Sequence, residues 1–273
     1  MDKSVRSPLS AVLDAAESRG KLNLRTADIA LALPGVSADA LRQALHRQQR
    51  KGRIVRASRG SEHWVIIPLQ DASAGAPPLE SWLDAYLSKT LGLPYYVGLL
   101  SAAEVYGASP QAVMVTQIMV PKVRRPVQVG RHRLVFFARS RVTDMPTAWH
   151  ETPQGRFKVS TPALTALELV SWQQPAGGIS RVMEVLQGLL PDITEDGLSA
   201  ALDALDEIPT AQRLATLFMR VNHPDLADVV ATWLGSKRTR RIPLSPEAPE
   251  PGPCTLDARF KVRVPDTLQP ANT

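Results

Sequence analysis

The sequence predicts an α+β protein in which an N-terminal winged helix-turn-helix precedes a larger mixed α/β domain. Three observations predict it. Residues 1–69 carry three helix-period segments followed by two β-type runs, residues 70–78 are polar and proline-containing, and residues 79–273 alternate between strand and helix periods. With 273 residues, 44% of them apolar, the chain can bury more than one core.

Ser7-Pro8 followed by Leu9, Val12, Leu13 and Ala16 has helical spacing, and Gly20 is a natural terminator. Residues 21–25 alternate like a short strand. Thr26 can cap a second helix holding Ile29, Ala30 and Leu33, which must stop at Pro34-Gly35. Ser37 is a strong N-cap for a third helix over residues 38–50, with Ala38, Leu41, Ala44 and Leu45 as its core stripe and Lys51-Gly52 closing it. Residues 53–57 and 63–67 then read as a hairpin. Beyond the linker expected at 70–78, helices are predicted around 80–90 and 97–106. The β-rich runs lie at 113–120, 126–130, 134–138 and 157–160. Thr161-Pro162 starts a helix, further helices follow near 181–190, 195–206, 210–221 and 226–234, and a proline-rich segment, 243–253, precedes a last strand at 258–264.

The net charge of +6 is concentrated in the first quarter of the chain. Residues 1–70 hold 12 basic and 6 acidic side chains, and residues 71–273 hold 20 of each. On the third helix, Asp39, Arg42, Gln43, His46, Arg47 and Arg50 project away from the apolar stripe. Arg and Gln are the side chains that fork onto guanine and adenine edges in the major groove, so Arg42 and Gln43 are the candidate base readers, with Arg47 and Arg50 on phosphates. Lys51, Arg53, Arg56, Arg59 and His63 sit on the wing and its approaches, and Thr26 at the second helix start can offer an amide to phosphate. With ~5 phosphates neutralised per protomer, log K should fall against log salt with a slope of about −4 to −5. Arg124, Arg125, Arg131, Arg133, Arg139 and Arg141 form a candidate second basic surface for a partner or nucleic acid; ion pairing within the protein is the alternative.

Other classes are excluded or unsupported. One cysteine, Cys254, cannot make an internal disulfide or a cysteine-based zinc site, which points to a reducing cytoplasm. There is no apolar signal core and no uninterrupted membrane span. Phosphate-loop, dinucleotide, zinc-protease and nucleophile-elbow motifs are absent. Gly235-Ser236 opens like a nucleotidyltransferase motif, but no Asp-x-Asp follows. The acidic groups Asp192, Glu195, Asp196 and Asp203, Asp206, Glu207 fit helix starts and solvated faces. His46, His63, His132, His150 and His223 lack ligand spacing, so no metal, cofactor or catalytic residue is expected.

The stretch Tyr95-Tyr96-Val97-Gly98-Leu99-Leu100-Ser101-Ala102-Ala103-Glu104-Val105-Tyr106-Gly107-Ala108 resembles the AbiE-type (AbiEi-like) antitoxins of abortive-infection type IV toxin-antitoxin systems. Residues 161–170, the wing residues 52–56 and 60–64, Leu244-Ser245-Pro246 and the last strand are similar to the same family. The resemblance implies a bacterial autorepressor that binds inverted repeats in its own promoter through the winged domain. It also implies that the C-terminal domain counteracts a cognate nucleotidyltransferase-like toxin, often without stable direct binding. Inverted repeats require two protomers with their third helices in major grooves about 34 Å apart. Two alternatives stay open: a ligand-responsive winged-helix regulator without a toxin partner, and a DNA-acting enzyme with catalysis in the C-terminal domain.

Overall fold

The computed structural model describes residues 7–58, 60–109, 111, 113–235, 237–246 and 252–268. The chain divides into two compact units, and the division does not follow the sequence continuously. The first comprises Met1–Tyr95, Val120–Ser140 and Trp149–Lys158; the second comprises Tyr96–Met119, Arg141–Ala148 and Val159–Thr273.

In the first unit, Ser7 Oγ accepts from the Ser10 amide and Pro8 occupies the first turn of α1 (Pro8–Glu17). A short strand, β1 (Asn23–Arg25), leads into α2 (Thr26–Ala32). The third helix, α3 (Ala38–Arg50), begins where Ser37 Oγ accepts from the Ala40 amide, and the chain leaves it through Gly52 at φ 70°, a left-handed turn suited to glycine. The wing strands are β2 (Ile54–Arg56) and β3 (His63–Ile66); β3 lies between β1 and β2 in an antiparallel sheet. Three helices and this three-stranded sheet form the winged-helix arrangement. Leu9, Leu13, Leu24, Ile29, Leu41, Leu45, Ile54 and Trp64 pack together in its core. Ala44 is half-buried and Ala38 exposed. Gln48, not Ala38, completes the buried stripe, donating to Ser10 Oγ at 2.8 Å and so tying α3 to α1.

Residues 70–78, expected to be a linker, lie inside this unit. They contain most of a tight turn, Leu69–Ala74, and a buried Ala76. The helix expected over 80–90 is shorter, a 3-10 turn at Leu79–Ser81 and a wide helical turn at Ala85–Thr90. The same unit holds the hairpin of β6 (Val127–Val129) and β7 (His132–Ala138), in which Gln128 pairs with Arg133.

In the second unit, β4 (Tyr96–Val97) pairs antiparallel with β5 (Thr116–Val120) and parallel with β9 (Gly155–Ser160) at Val97 and Val159. A strand absent from the sequence reading, β8 (Thr147–Thr152), precedes β9, and residues Trp149–Lys158 of these two strands and their turn belong to the first unit. Gly98 starts α4 (Leu99–Val105), and Thr161 caps α5 (Pro162–Ser171), which is buried from Ala163 to Val170. Glu168 of α5 is fully buried and accepts from the Tyr96 hydroxyl at 2.5 Å. A Cβ on Gly98 would lie 2.7 Å from the Glu168 carboxylate, so the glycine is what lets strand and helix approach. Around α5 stand α6 (Ile179–Leu189), α7 (Glu195–Leu205) and α8 (Ile208–Arg220), and α9 (Pro224–Leu234) packs on α7 and α8.

The chain ends in a small sheet ordered β10 (Ile242–Pro243), β12 (Val262–Pro265), β11 (Cys254–Asp257). The single strand expected over 258–264 is instead a hairpin, because Lys261 turns at φ 57° and β12 starts only at Val262. Gln212 Nε2 of α8, donating to the Phe260 and Arg240 carbonyls at 2.5 and 3.0 Å, holds this sheet to the helix. Residues 247–251 of the proline-rich segment lie outside the described residues.

Candidate nucleic-acid interface

The outer face of α3 carries Arg42, Gln43, His46, Arg47 and Arg50, all exposed, while Leu41 and Leu45 point into the core. Its geometry is that of an amphipathic helix with one dry and one cationic face. Arg42 pairs with Asp39 one turn away at 2.9 Å; both are largely exposed, so this pair holds the guanidinium only weakly. Lys51, just beyond the helix, is exposed as well. Gln49, one turn beyond His46, was not singled out from the sequence, although the same spacing places it on this face.

On the wing, the Arg56 guanidinium lies 4.5 Å from the centre of the Trp64 ring, its directly paired neighbour across β2 and β3. Stacking on a buried indole fixes the direction of an otherwise flexible cation. Between α3 and the wing runs a cleft of about 540 Å³ lined by Arg42, His46, Gln49, Arg56 and Trp64, with Gln128 of β6 at its side.

Three expectations are corrected. His63 is only 1% exposed: Asn23 Nδ2 donates to the Ser81 carbonyl, so Asn23 Oδ1 faces His63 and accepts from Nε2 at 3.0 Å, while Nδ1 lies 2.6 Å from the Thr90 hydroxyl. Burial pushes its pKa down from 6.5 to about 4, and a neutral buried imidazole cannot meet a phosphate. Arg53 is held by Asp14 at 2.8 Å and Glu17 at 3.0 Å, which ties the wing to α1 and neutralises the charge. Thr26 neither caps α2 nor offers its amide, because that amide donates to the Glu62 carbonyl at 2.9 Å and its hydroxyl accepts from Trp64 Nε1 at 3.0 Å. The adjacent Arg25 donates to Asp28, holding that carboxyl below its usual range. Arg59 lies outside the described residues.

The six arginines expected to share a second surface separate. Arg139 is buried, and Arg141 belongs to the other unit, where it donates to the Leu205 carbonyl at 3.3 Å. Arg124, Arg125, Arg131 and Arg133 are exposed within the winged-helix unit. Counted by unit, the charge is more polarised than the sequence order suggested. The first unit has 21 Lys and Arg against 10 Asp and Glu, net +11, and the second 11 against 16, net −5.

Asp203, Asp206 and Glu207 of the second unit have structural partners, and Asp192 lies exposed in a short 3-10 turn. Asp206 meets Lys237 at 3.3 Å, Asp203 accepts from Trp233, Glu207 accepts from Ser171 and Thr210, and Glu195 and Asp196 occupy the first turn of α7. Among the described residues, no group of three or more His, Cys, Asp or Glu side chains is placed to hold a metal ion. Also among them, no helix is long and apolar enough to cross a membrane.

Residues 96–219, which begin at the first residue of the second unit and also take in the first-unit segments Val120–Ser140 and Trp149–Lys158, match the model of the AbiEi antitoxin C-terminal domain. Over those residues the chain is similar to the AbiEi antitoxin family. The matched region holds the Tyr96–Glu168 bond and all of α4 to α7. The fold of the whole chain is similar to the crystal structure of the RV2827C protein from Mycobacterium tuberculosis, with a TM-score of 0.68 over 96% of this chain and 93% of that one, at 14% identity. No curated protein matches the chain.

Proposed function

We propose that the protein is a cytoplasmic DNA-binding autorepressor and antitoxin. Its winged-helix unit binds inverted repeats in its own promoter, and its AbiEi domain counteracts a cognate nucleotidyltransferase-like toxin without requiring a stable complex. The observation that carries the DNA part is the exposed cationic and amide-bearing face of α3, backed by a dry core, in a unit of net charge +11. Arg42 and Gln43 near the N-terminus of α3 read base edges; His46 lies beside them, and Arg47, Arg50, Lys51 and Arg56 meet phosphates. The antitoxin part rests on the domain matched over 96–219. Two protomers on an inverted repeat place their α3 helices about 34 Å apart.

Two experiments test this reading. Binding of the full chain to the DNA upstream of its own gene, followed over a salt series, should show a log-log slope to which the α3 and wing contacts alone contribute about −4 to −5 per protomer. Arg42→Ala or Gln43→Ala should relax sequence preference, and Lys51→Ala should weaken all sequences alike. Salt-independent binding removes the DNA reading. For the antitoxin part, the neighbouring gene is expressed alone and together with this protein; toxicity that persists in the presence of folded protein removes it.

A further inference from the structure

The α3 and wing face accounts for only part of the positive charge of its unit. Residues 120–140 contain six basic and no acidic side chains, and the chain returns them to the winged-helix unit from a distant part of the sequence. Lys122, Arg124 and Arg125 lie in the loop before β6, between Pro121 and Pro126, and all three are exposed, as is Val123 at 78%. Arg131 and Arg133 follow on the turn and on β7, also exposed. None of the ion pairs among the described residues engages these five cations.

The direction of the hairpin is set by its register. Gln128 and Arg133 are directly opposed across β6 and β7, so their side chains share a face, and Gln128 lines the cleft beside Arg42, His46 and Arg56. The opposite face, with Val129 and Leu134, is buried. The hairpin is also anchored. The Arg131 amide donates to the Ala74 carbonyl at 3.1 Å, His132 Nε2 lies 3.0 Å from the Pro77 carbonyl, and a Cβ on Gly130 would fall 2.4 Å from the Gly75 backbone. The hairpin, with Arg133 on its exposed face and the Lys122–Arg125 loop leading into it, is held against the segment that follows the wing, beside the α3 surface.

We propose that Lys122, Arg124, Arg125 and Arg133 are a second phosphate-binding element, which carries the α3 and wing surface onto the duplex DNA flanking the base-read site. The proposal rests on the DNA reading of the winged helix and deepens it. Exposed cations outside any ion pair among the described residues, three in the loop before β6 and Arg133 on the anchored hairpin, suit the phosphates of a duplex, to which Arg binds as a planar fork. Its role is affinity and positioning rather than sequence choice.

The test uses the full chain and DNA from upstream of its own gene, with fluorescence anisotropy over a salt series. Arg124→Ser, Arg125→Ser and Arg133→Ser are combined in one variant; all three sites are exposed, and thermal melting checks that the fold is kept. The slope of log K against log salt should shrink by about 2.7, which is ~0.9 for each lost phosphate contact. Progressive trimming of the duplex ends should weaken the wild type and leave the variant unaffected until the base-read site is reached. A variant with wild-type slope and affinity, beside an Arg47→Ala protein with a reduced slope, overturns the hairpin element and leaves the α3 reading intact. If the wild type shows no salt-dependent binding, both fall.

Discussion

His63 makes the stability of the winged helix dependent on pH below neutrality. Its ring is buried between Asn23 and Thr90 and packs on Tyr86 with centroids 5.1 Å apart, so the charged form has lost its water without gaining a carboxylate. The folded state therefore protonates near pH 4 and the unfolded chain near 6.5. Because the folded pKa is the lower one, the unfolded chain takes up the proton first as the pH falls. The contribution is complete above about pH 6.5 and is lost as the pH drops towards 4. The gap corresponds to about 3 kcal/mol in all, of which about 2 kcal/mol disappears between pH 7 and pH 5. Urea unfolding of the wild type and of His63→Gln at both pH values isolates this contribution, since the other titrating groups are common to the two proteins. The wild type should lose about 2 kcal/mol more than the variant over that interval, and the His63 Cε1 proton should titrate near pH 4 by NMR. Equal losses in the two proteins, with an NMR midpoint near the ordinary histidine value, would refute the argument that burial rules this site.

Ser37→Ala should lower stability by about 1 kcal/mol by removing the cap of α3, read as a shift of the urea midpoint with an unchanged slope. Gly155→Ala should be worse, about 2 kcal/mol or more, because φ is 147° there and the new Cβ would sit 2.3 Å from the Glu80 carbonyl oxygen; thermal melting measures it. Tyr96→Phe removes a 2.5 Å hydrogen bond to the buried Glu168 carboxylate and should cost about 2 kcal/mol in urea unfolding, whereas Tyr95→Phe, which loses a bond to the half-buried Asp84, should cost less.

The local signals of the winged helix were legible. Ser7, Ser37 and Thr161 announce helices because an N-cap is chemistry within four residues, and α3 begins and ends where its cap and Gly52 place it. The outer face of α3 was legible for the same reason, since it follows from helical periodicity. The fates of His63 and Arg53 were not. Whether a wing residue meets solvent or a partner depends on Thr90 and on Asp14 and Glu17, which lie 27, 39 and 36 residues away. Thr26 resembles a cap in sequence but is claimed by Glu62 and Trp64. The same limit governed the charge. The +6 assigned to residues 1–70 was an incomplete account, because contacts of Gly130, Arg131 and His132 with residues 74–77 bring the cations of 120–140 into that unit and leave the other unit acidic.

The course of the chain through the two units bears on how the protein is made. The winged-helix unit takes its last strand residues from Trp149–Lys158, after two excursions into the other unit. A ribosome that has released residues 1–70 has exposed α3 but not the hairpin beside it. At ~5–20 residues per second, several more seconds of synthesis separate the two. For that interval the nascent chain presents its cations to the nucleic acids of the translation machinery without their final framework. An N-terminal fragment cut after the wing would preserve this state permanently, so transplanting the complete unit between relatives calls for moving three segments of sequence rather than one.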